Sequence, residues 1–433
     1  MGSGSPYAQR TARFVLAAIG LTIIAVALPG GRARAEKRAI PPLATTTPLR
    51  FAVAPFANHS GAKALDWLVA GAPFELAEKT EALLHLMPAY DALVVPATRV
   101  DETGPSVAAF AAAHKADLVI TGYAERPNWE LRVGATLWHI GKNGPKVIAE
   151  TSRQGEQADY HRLLGEVAAE LWSNAATAPW SLTPPMTPNV AAGFERKLAP
   201  DIYAVTLLGR GLGYFTGALG SVDLAAAERD LKKAVFVAPT LVEGQRMLGE
   251  LWGRMALLPN AEASLANRAG GKFSYATDLR ADYPAALRGA AAFATRNGKH
   301  AQAVDLLRQL AIAEPWNLDV RFALGDAAWQ AGDVELAQAQ LDIVVGRKPN
   351  HVPALRVLAL MAAARGDANA YITGLERVAA EVPADVDVKS DLASAYTASS
   401  RWTDARTQLQ QVVAKRPTDV VGWLRLADNF AQT

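Results

Sequence analysis

The residues that most resemble a catalytic group are His59 and Ser60, which follow the apolar run Leu49–Phe56. A serine nucleophile needs a neighbouring base, and that base needs a third group to orient it. His59 and Ser60 are adjacent, so their side chains diverge on an extended chain. Asn58 and Ser60 are turn formers, and Gly61 permits a positive φ. The pattern therefore predicts a strand that ends in a turn, and it assigns no catalytic residue.

Metal and thiol chemistry find no support elsewhere in the sequence. The chain contains no cysteine, which excludes disulfides, thiolate catalysis and cysteine-ligated zinc. Its seven histidines stand apart, without the H-E-x-x-H or H-x-H spacing that suits a metal. They are His59, His85, His114, His139, His161, His300 and His351. We predict no metal site and no cofactor.

Residues 209–217, with the sequence GRGLGYFTG, are similar to a phosphate-binding loop. Such a loop follows a strand and ends in Gly-Lys-Ser/Thr, and this segment does neither. Its glycines instead predict close packing between helices. Because no acid and base are visibly paired anywhere in the sequence, we predict that the chain is not an enzyme. A hydrolase of envelope polymers is the disfavoured alternative.

The amino-terminal residues predict export from the cytoplasm. Arg10 and Arg13 precede the apolar run Phe14–Leu28, and the Ala-Arg-Ala of residues 33–35 fits a small-x-small cleavage site. We predict a signal peptide over residues 1–35, with an uncleaved inner-membrane anchor as the alternative. Either places the rest of the chain in the periplasm or otherwise outside the cytoplasm. The formal net charge is only +2, so no nucleic-acid partner is predicted.

Two Pro-rich segments, 36–48 and 177–199, are predicted linkers because they show no periodic apolar face. Between them, residues 49–176 show strand and helix patterns in the order β-α-β-α-β-β-β-α. The predicted strands are Leu49–Phe56, Ala92–Pro96, Asp117–Glu125, Trp129–Ile140 and Lys146–Gln154. The predicted helices are Ala64–Leu84, Ser106–His114 and Asp159–Asn174. This order predicts a mixed sheet covered by helices.

From residue 200 to residue 433 the chain repeats itself every 34 residues. Prolines mark the period, and small or apolar residues recur in register with them. They are Pro315, Pro349, Pro383 and Pro417; Gly298, Gly332 and Gly366, with Ser400 in the last unit; Ala303, Ala337 and Ala405; and Leu307, Leu341, Leu375 and Leu409. Each unit predicts two helices, the second ended by proline. The unit Val242–Tyr283 is stretched, and we expect an insert around residues 267–278.

A 34-residue period with small residues where two helices touch is identified as that of the tetratricopeptide repeat family. Residues 49–175 resemble the TolB amino-terminal-like domain family, through FAVAPFANHSG, LDWLVAGAPFELAEKTEAL and the strand ADLVITG. That resemblance implies an α/β fold found in envelope proteins and no enzyme chemistry. Together these features predict an α+β chain. A mixed-sheet α/β domain precedes an all-α superhelical solenoid of about five to six repeats and a terminal helix.

The resemblance to tetratricopeptide repeats implies a groove lined by the first helix of each unit, through its second, fifth, ninth, twelfth and thirteenth positions. In this sequence those positions include Arg246, Glu250, Arg254, Arg288, Thr295, Arg296, Asp319, Phe322, Asp326, Trp329, Gln330, Arg356, Leu360, Ser390, Ser394 and Thr397. The residues predicted to bind a partner are Arg246, Arg254, Arg288, Arg296, Phe322, Asp326, Trp329 and Arg356. Guanidinium groups suit carboxylates and aromatic rings suit apolar side chains, so we expect an acidic peptide segment. The alternative is that these arginines are solvated, or paired with Glu243, Glu250 and Asp326.

These features predict a non-enzymatic scaffold outside the cytoplasm. Its α/β domain would dock to one envelope component and its repeats would bind a second protein, in the assembly or regulation of a cell-envelope machine. The alternative is a periplasmic ligand sensor, in which the α/β domain binds a small molecule at the carboxyl edge of its sheet and the repeats transmit the signal. Contact with a membrane is expected only through an uncleaved amino-terminal anchor.

Overall fold

The structure, a computed structural model, describes residues 40–42, 49–84, 86–88, 100–177 and 186–432. The predicted export segment and the predicted strand Ala92–Pro96 lie outside these residues. Within them, a six-stranded sheet comes first and a long run of helices follows. This confirms the predicted fold class.

The sheet is mixed, and its strands lie in the order β3-β1-β4-β5-β6, with β2 also paired to β4. The strands are β1 Arg50–Val53, β2 Ala57–Asn58, β3 Met87–Pro88, β4 Leu118–Glu125, β5 Leu131–Gly141 and β6 Gly144–Gly155. The pairings β1–β3, β1–β4 and β2–β4 are parallel, and β4–β5–β6 is an antiparallel meander. The predicted first strand, Leu49–Phe56, corresponds to β1, which ends earlier, at Val53; the short β2 follows it and leads into the turn.

The turn after β2 is built as its residue types predict. The Asn58 side-chain oxygen accepts hydrogen bonds from the Ser60 backbone N–H at 3.1 Å and from the Ser60 hydroxyl at 2.6 Å. Gly61 has a φ of +67°, the left-handed value that glycine adopts without steric cost. Ser60 therefore forms hydrogen bonds within the turn, and the prediction of a strand that ends in a turn is confirmed.

Seventeen α-helices occur in the described ranges. They are α1 Leu68–Leu84, α2 Gly104–His114, α3 Tyr160–Thr177, α4 Pro188–Glu195, α5 Ile202–Thr216, α6 Leu224–Val237, α7 Val242–Met255, α8 Leu265–Leu279, α9 Pro284–Arg296, α10 His300–Ala313, α11 Leu318–Ala331, α12 Val334–Arg347, α13 Val352–Ala364, α14 Ala368–Glu381, α15 Val386–Ala398, α16 Trp402–Lys415 and α17 Val420–Ala431. Single 3-10 turns lie at Lys63–Leu65, Pro127–Trp129 and Gln157–Asp159.

Strand β1 shows how the sheet is covered on both faces. Successive side chains of a strand point to opposite faces. Phe51 and Val53 accordingly join the buried cluster that contains α1 and α3, whereas Ala52 and Ala54 join the cluster around Phe110 of α2. A strand that is buried on both faces needs apolar residues at successive positions, and this explains the continuous apolar run in the sequence.

One hydrophobic core runs without a break from the sheet into the first repeats. The cluster that includes Phe51 extends through α5, α7 and α8 as far as Ala290. Part of the segment predicted as a second linker contributes to it, because α4 buries Phe194 completely. A Cβ at Gly165 of α3 would lie 2.6 Å from the Glu195 backbone, so α3 and α4 are in close contact. The α/β domain is therefore packed onto the array.

The repeat units follow the 34-residue register. Ala303, Ala337 and Ala405 are fully buried where the paired helices touch, as predicted. Four of the units turn between their two helices through a left-handed residue. Gly298, Gly332 and Gly366 have φ values of +71°, +84° and +75°. Ser400, at the equivalent place, has a φ of +57°, a conformation that costs a non-glycine residue free energy.

The predicted position of the insert in the stretched unit is wrong. Residues 267–278 belong to α8, and the extra length lies in the connection between α7 and α8, residues 256–264. The glycines of α8 do not break it, because one of them is required by packing. A Cβ on Gly270 would lie 2.2 Å from the Phe293 ring. The absence of a side chain there lets α9 approach.

Candidate functional site

The predicted groove begins with Arg246 on α7, and the structure buries this side chain to 1% exposure. Its Nε donates to the Tyr283 hydroxyl at 2.8 Å, and its Nη2 donates to a Glu78 carboxylate oxygen at 2.9 Å. The guanidinium carbon also lies 5.4 Å from the centre of the Phe74 ring. Glu78 and Phe74 belong to α1. The guanidinium that the sequence assigns to a partner therefore holds a helix of the same chain.

Arg288 on α9 makes the same kind of contact one unit further along. Its Nη2 donates to Glu81 of α1 at 2.9 Å, and its Nη1 pairs with Glu314. Arg280, just before α9, adds to the first contact by placing Nη2 3.7 Å from Glu78. Two successive first helices of the array therefore each hold one carboxylate of α1.

Helix α1 lies between the sheet and the array and is covered on nearly every side. Every residue from Leu68 to Glu81 is buried, including the charged ones. The sheet covers one side of this helix, and α5 covers another. A Cβ on Gly71 of α1 would lie 3.1 Å from the Gly209 Cα of α5, so paired glycines let these two backbones meet. The mostly apolar sequence of α1 favours this burial, because such a helix is stable only when other elements cover it.

The carboxylates of α1 fall three residues apart, at Glu75, Glu78 and Glu81. Glu75 is fully buried, accepts a hydrogen bond from Lys79 Nζ at 2.5 Å and lies 2.8 Å from His161 Nδ1 of α3. Glu75 therefore holds α1 against α3 within the α/β domain, whereas Glu78 and Glu81 hold α1 against the array.

Burial and pairing act in opposite directions on these carboxyl groups. Burial raises the pKa of Glu78 to about 7, although Arg246 and Arg280 draw it downward. Burial also opposes ionisation of Glu75, but Lys79 and His161 together lower its pKa to about 2. The pKa of Glu78 thus lies near neutral pH, whereas that of Glu75 lies far below it.

The other two arginines of the front part lie on the surface. Arg254 places Nε 3.1 Å from Glu250 of the same helix, with its guanidinium 4.6 Å from the Phe215 ring centre. Arg296, at the end of α9, is exposed. We call Arg246, Arg254, Arg288 and Arg296 the front groove; the structure brings two of them to α1 and leaves two in contact with solvent.

The aromatic residues predicted further along lie together on α11. Phe322, Asp326 and Trp329 are half-buried, and the Phe322 ring centre is 5.0 Å from that of His351. Burial raises the pKa of Asp326. We call Asp319, Phe322, Asp326, Trp329 and Leu360 the back groove. Arg356, beside it on α13, pairs with Asp385. Partner binding by the eight selected residues stays a prediction.

Sequence reasoning missed the carboxylates of α1 and one buried arginine. Arg321 is 1% exposed, and it donates to the Pro41 carbonyl at 2.6 Å and to Gln340 at 3.1 Å. Charged residues within an otherwise apolar helix signal buried ion pairs, and that signal was present in Glu75, Glu78 and Glu81.

The described ranges offer neither a metal cluster nor a membrane-spanning helix. Among those residues, no group of three or more His, Asp or Glu side chains is placed to hold a metal ion. Of the helices described, none combines the length and the apolar character needed to cross a membrane.

The comparisons with known proteins concern the repeats. Residues 294–364 match the family model "Tetratricopeptide repeat". No curated protein matches the chain in sequence. Similar solved structures include YrrB, described as a TPR protein with an unusual peptide-binding site, at 16% identity over 45% of this chain and 95% of that chain, with a TM-score of 0.37.

Two further structures are similar at the same level. PilW, a type IV pilus biogenesis factor, is 15% identical over 53% of this chain and 98% of that chain, with a TM-score of 0.40. A tetratricopeptide repeat protein from Parabacteroides merdae is 18% identical over 49% and 80%, with a TM-score of 0.40. The span that matches the family model contains Arg296, the back-groove residues and Arg356, so this portion of the predicted groove lies in a stretch that matches the tetratricopeptide repeat family.

Proposed function

We propose that this chain is a non-enzymatic adaptor whose repeat array binds a protein partner along the face of its first helices. The observation that carries the proposal is the arrangement around α1. The array already holds one helix on this face through matched charges, and the back groove beyond it stays partly exposed. A preformed surface of this kind suits protein binding.

We also propose that the protein works outside the cytoplasm, in the assembly or regulation of a cell-envelope machine. Support comes from the sequence of residues 1–35, with its two arginines, apolar run and small-x-small site. We further assign residues 49–176 to the TolB amino-terminal-like family. Support comes from the segments that carry the resemblance and from the mixed sheet, covered on both faces, that is described there.

An acidic partner segment remains part of the proposal for the front groove. Arg246 and Arg288 already bind carboxylates there, and these come from α1. An external acidic segment would have to displace that helix, or use the exposed Arg254 and Arg296. Only displacement of α1 would make partner binding compete with docking of the α/β domain.

The test is an affinity pull-down from cross-linked envelopes of the source cell, read by mass spectrometry. The full chain is compared with a variant carrying Phe322→Ala and Trp329→Ala. We expect one envelope protein to be recovered with the full chain and lost with the variant. Recovery of no specific protein with either chain would contradict the proposal. The ligand-sensor alternative is tested by thermal shift with small metabolites.

A further inference from the structure

The two parts of the groove differ in charge. The front groove consists of four arginines at the fifth and thirteenth positions of α7 and α9. The back groove instead has aspartates at the second and ninth positions of α11, with aromatic residues at the fifth and twelfth. The arginine that follows on α13, Arg356, is already paired with Asp385.

The front groove shows how this array recognises a segment. Arg246, which is buried, and Arg288, which is half-buried, occupy fifth positions, and each faces a carboxylate of α1 at 2.9 Å. The apolar residues of α1 around those carboxylates are buried against neighbouring helices. At the front groove, one arginine of each repeat pairs with one carboxylate of α1, and apolar contacts surround the pair. The back groove carries carboxylates in place of arginines, so the same kind of contact there requires a segment with cationic side chains.

Four side chains of the back groove lie on one side of α11. Asp319, Phe322, Asp326 and Trp329 are spaced by three, four and three residues, the spacing of a single helix face. Asp319 is exposed and the other three are half-buried. In the ranges that the structure describes, neither aspartate has a lysine or arginine ion-pair partner; His300 is a neighbour of Asp326, and His351 is a neighbour of Asp319.

We propose that the back groove binds a protein segment that carries lysine or arginine side chains beside apolar ones. Asp319 and Asp326, about 10 Å apart along α11, each contact a cation of the segment, and Phe322, Trp329 and Leu360 contact the apolar atoms. Carboxylates attract a cation directly, and an aromatic face adds to that attraction. This inference rests on the proposed function and names the chemistry of its partner.

The test uses two synthetic amphipathic peptides of equal length, one with leucine and lysine and the other with leucine and glutamate. Their binding to the full chain is measured by fluorescence anisotropy. We expect the lysine peptide to bind more tightly by about tenfold or more, as charge complementarity at an interface requires. Equal or tighter binding of the glutamate peptide overturns the proposal.

Charge reversal locates the site. With Asp319→Lys and Asp326→Lys together, we expect binding of the lysine peptide to weaken by about tenfold or more. The matched control, Asp305→Lys with Asp342→Lys, reverses two exposed aspartates on the second helices of their units and leaves binding unchanged. If the first variant does not fold, Asp319→Asn with Asp326→Asn removes the charges alone. Unchanged binding in the folded variant overturns the proposal.

The pull-down separates this inference from the proposed function. A partner that is lost with Phe322→Ala and Trp329→Ala but retained with Asp319→Lys and Asp326→Lys supports the adaptor and overturns the cationic segment. A lysine-peptide preference that depends on both aspartates, with no partner recovered, supports the back-groove chemistry and contradicts the adaptor.

Discussion

Glu78 and Arg246 are 168 residues apart in the chain and meet as a buried ion pair, with Arg246 Nη2 2.9 Å from Glu78 Oε1. Their side chains are 3% and 1% exposed. The pair fixes α1 of the α/β domain against α7 of the array. Together with the contact between Arg288 and Glu81, it turns half of the front groove into an internal contact of the chain, whereas Arg254 and Arg296 stay exposed and the back groove stays partly exposed.

Loss of Arg246 should cost far more than loss of an exposed arginine on the same helix. Arg246→Ala leaves Glu78 buried without its nearest cation, so we expect the free energy of unfolding to fall by about 3–5 kcal/mol. Arg254→Ala, whose side chain is 50% exposed, should cost about 1 kcal/mol or less. Urea unfolding measures both. Similar losses in the two variants would contradict the assigned pairing.

The stability of the chain should depend on pH through Glu78. Folding raises the pKa of this carboxyl from 4.5 to about 7, so the folded chain holds its proton more tightly. The resulting stabilisation is fully present below pH 4.5 and is lost as the pH rises through about 7, a change on the order of 3 kcal/mol. Burial raises the pKa of Glu314 as well, in the same direction.

Glu75 acts in the opposite sense, because its pKa is lowered to about 2. Its contribution is present above pH 4.5 and is lost as the pH falls toward about 2. We therefore expect the free energy of unfolding to decline between about pH 5 and about pH 8, and Glu78→Gln to reduce that decline. Urea unfolding across this range checks it; the same slope in the variant would assign the effect to another group.

Contact between α1 and α5 should fail when a methyl group is added at Gly209. A Cβ there would lie 2.5 Å from the Trp67 carbonyl oxygen, so Gly209→Ala should destabilise the chain by about 1–3 kcal/mol. Gly253 of α7 has no atom within 4 Å of an added Cβ. Gly253→Ala should stabilise by about 0.5–1 kcal/mol, because alanine favours the helix. Thermal unfolding distinguishes the two signs.

The last full repeat should gain stability from a single glycine. Ser400 adopts a φ of +57° where the preceding repeats have glycine, so Ser400→Gly should stabilise the chain by about 1 kcal/mol. The control is Gly332→Ala, which puts a side chain into the same turn and should destabilise by a similar amount. Thermal unfolding measures both, and no gain on Ser400→Gly would show that this turn relaxes at little cost.

Much of the fold could be predicted because it is encoded locally. The alternating strands, the buried alanines at Ala303 and Ala337 and the turn glycines each follow from periodicity and backbone sterics. The insert predicted at 267–278 is wrong, because these residues belong to α8. The role of Gly270, which leaves room for the Phe293 ring, depends on a neighbouring helix that local patterns do not contain.

The candidate site, like the fold, could be predicted only in part from the sequence. The repeat register identified Arg246, Arg288, Phe322, Asp326 and Trp329 as residues of the first helices, since that register is a property of the sequence alone. What each side chain contacts was not encoded locally. The sequence offers many carboxylates to every arginine, and several pairings satisfy the charges equally well.

The sequence by itself determined the two kinds of architecture, the 34-residue register and the helix faces on which charged and aromatic residues lie. Only the tertiary structure decided that α1 contacts Arg246 and Arg288 of the front groove and that the back groove stays partly exposed. The physical reason is that α1 is mostly apolar and is stable only when other elements cover it. Its carboxylates can be buried with it only where cations neutralise them: Lys79 of the same helix for Glu75, and arginines of the array for Glu78 and Glu81.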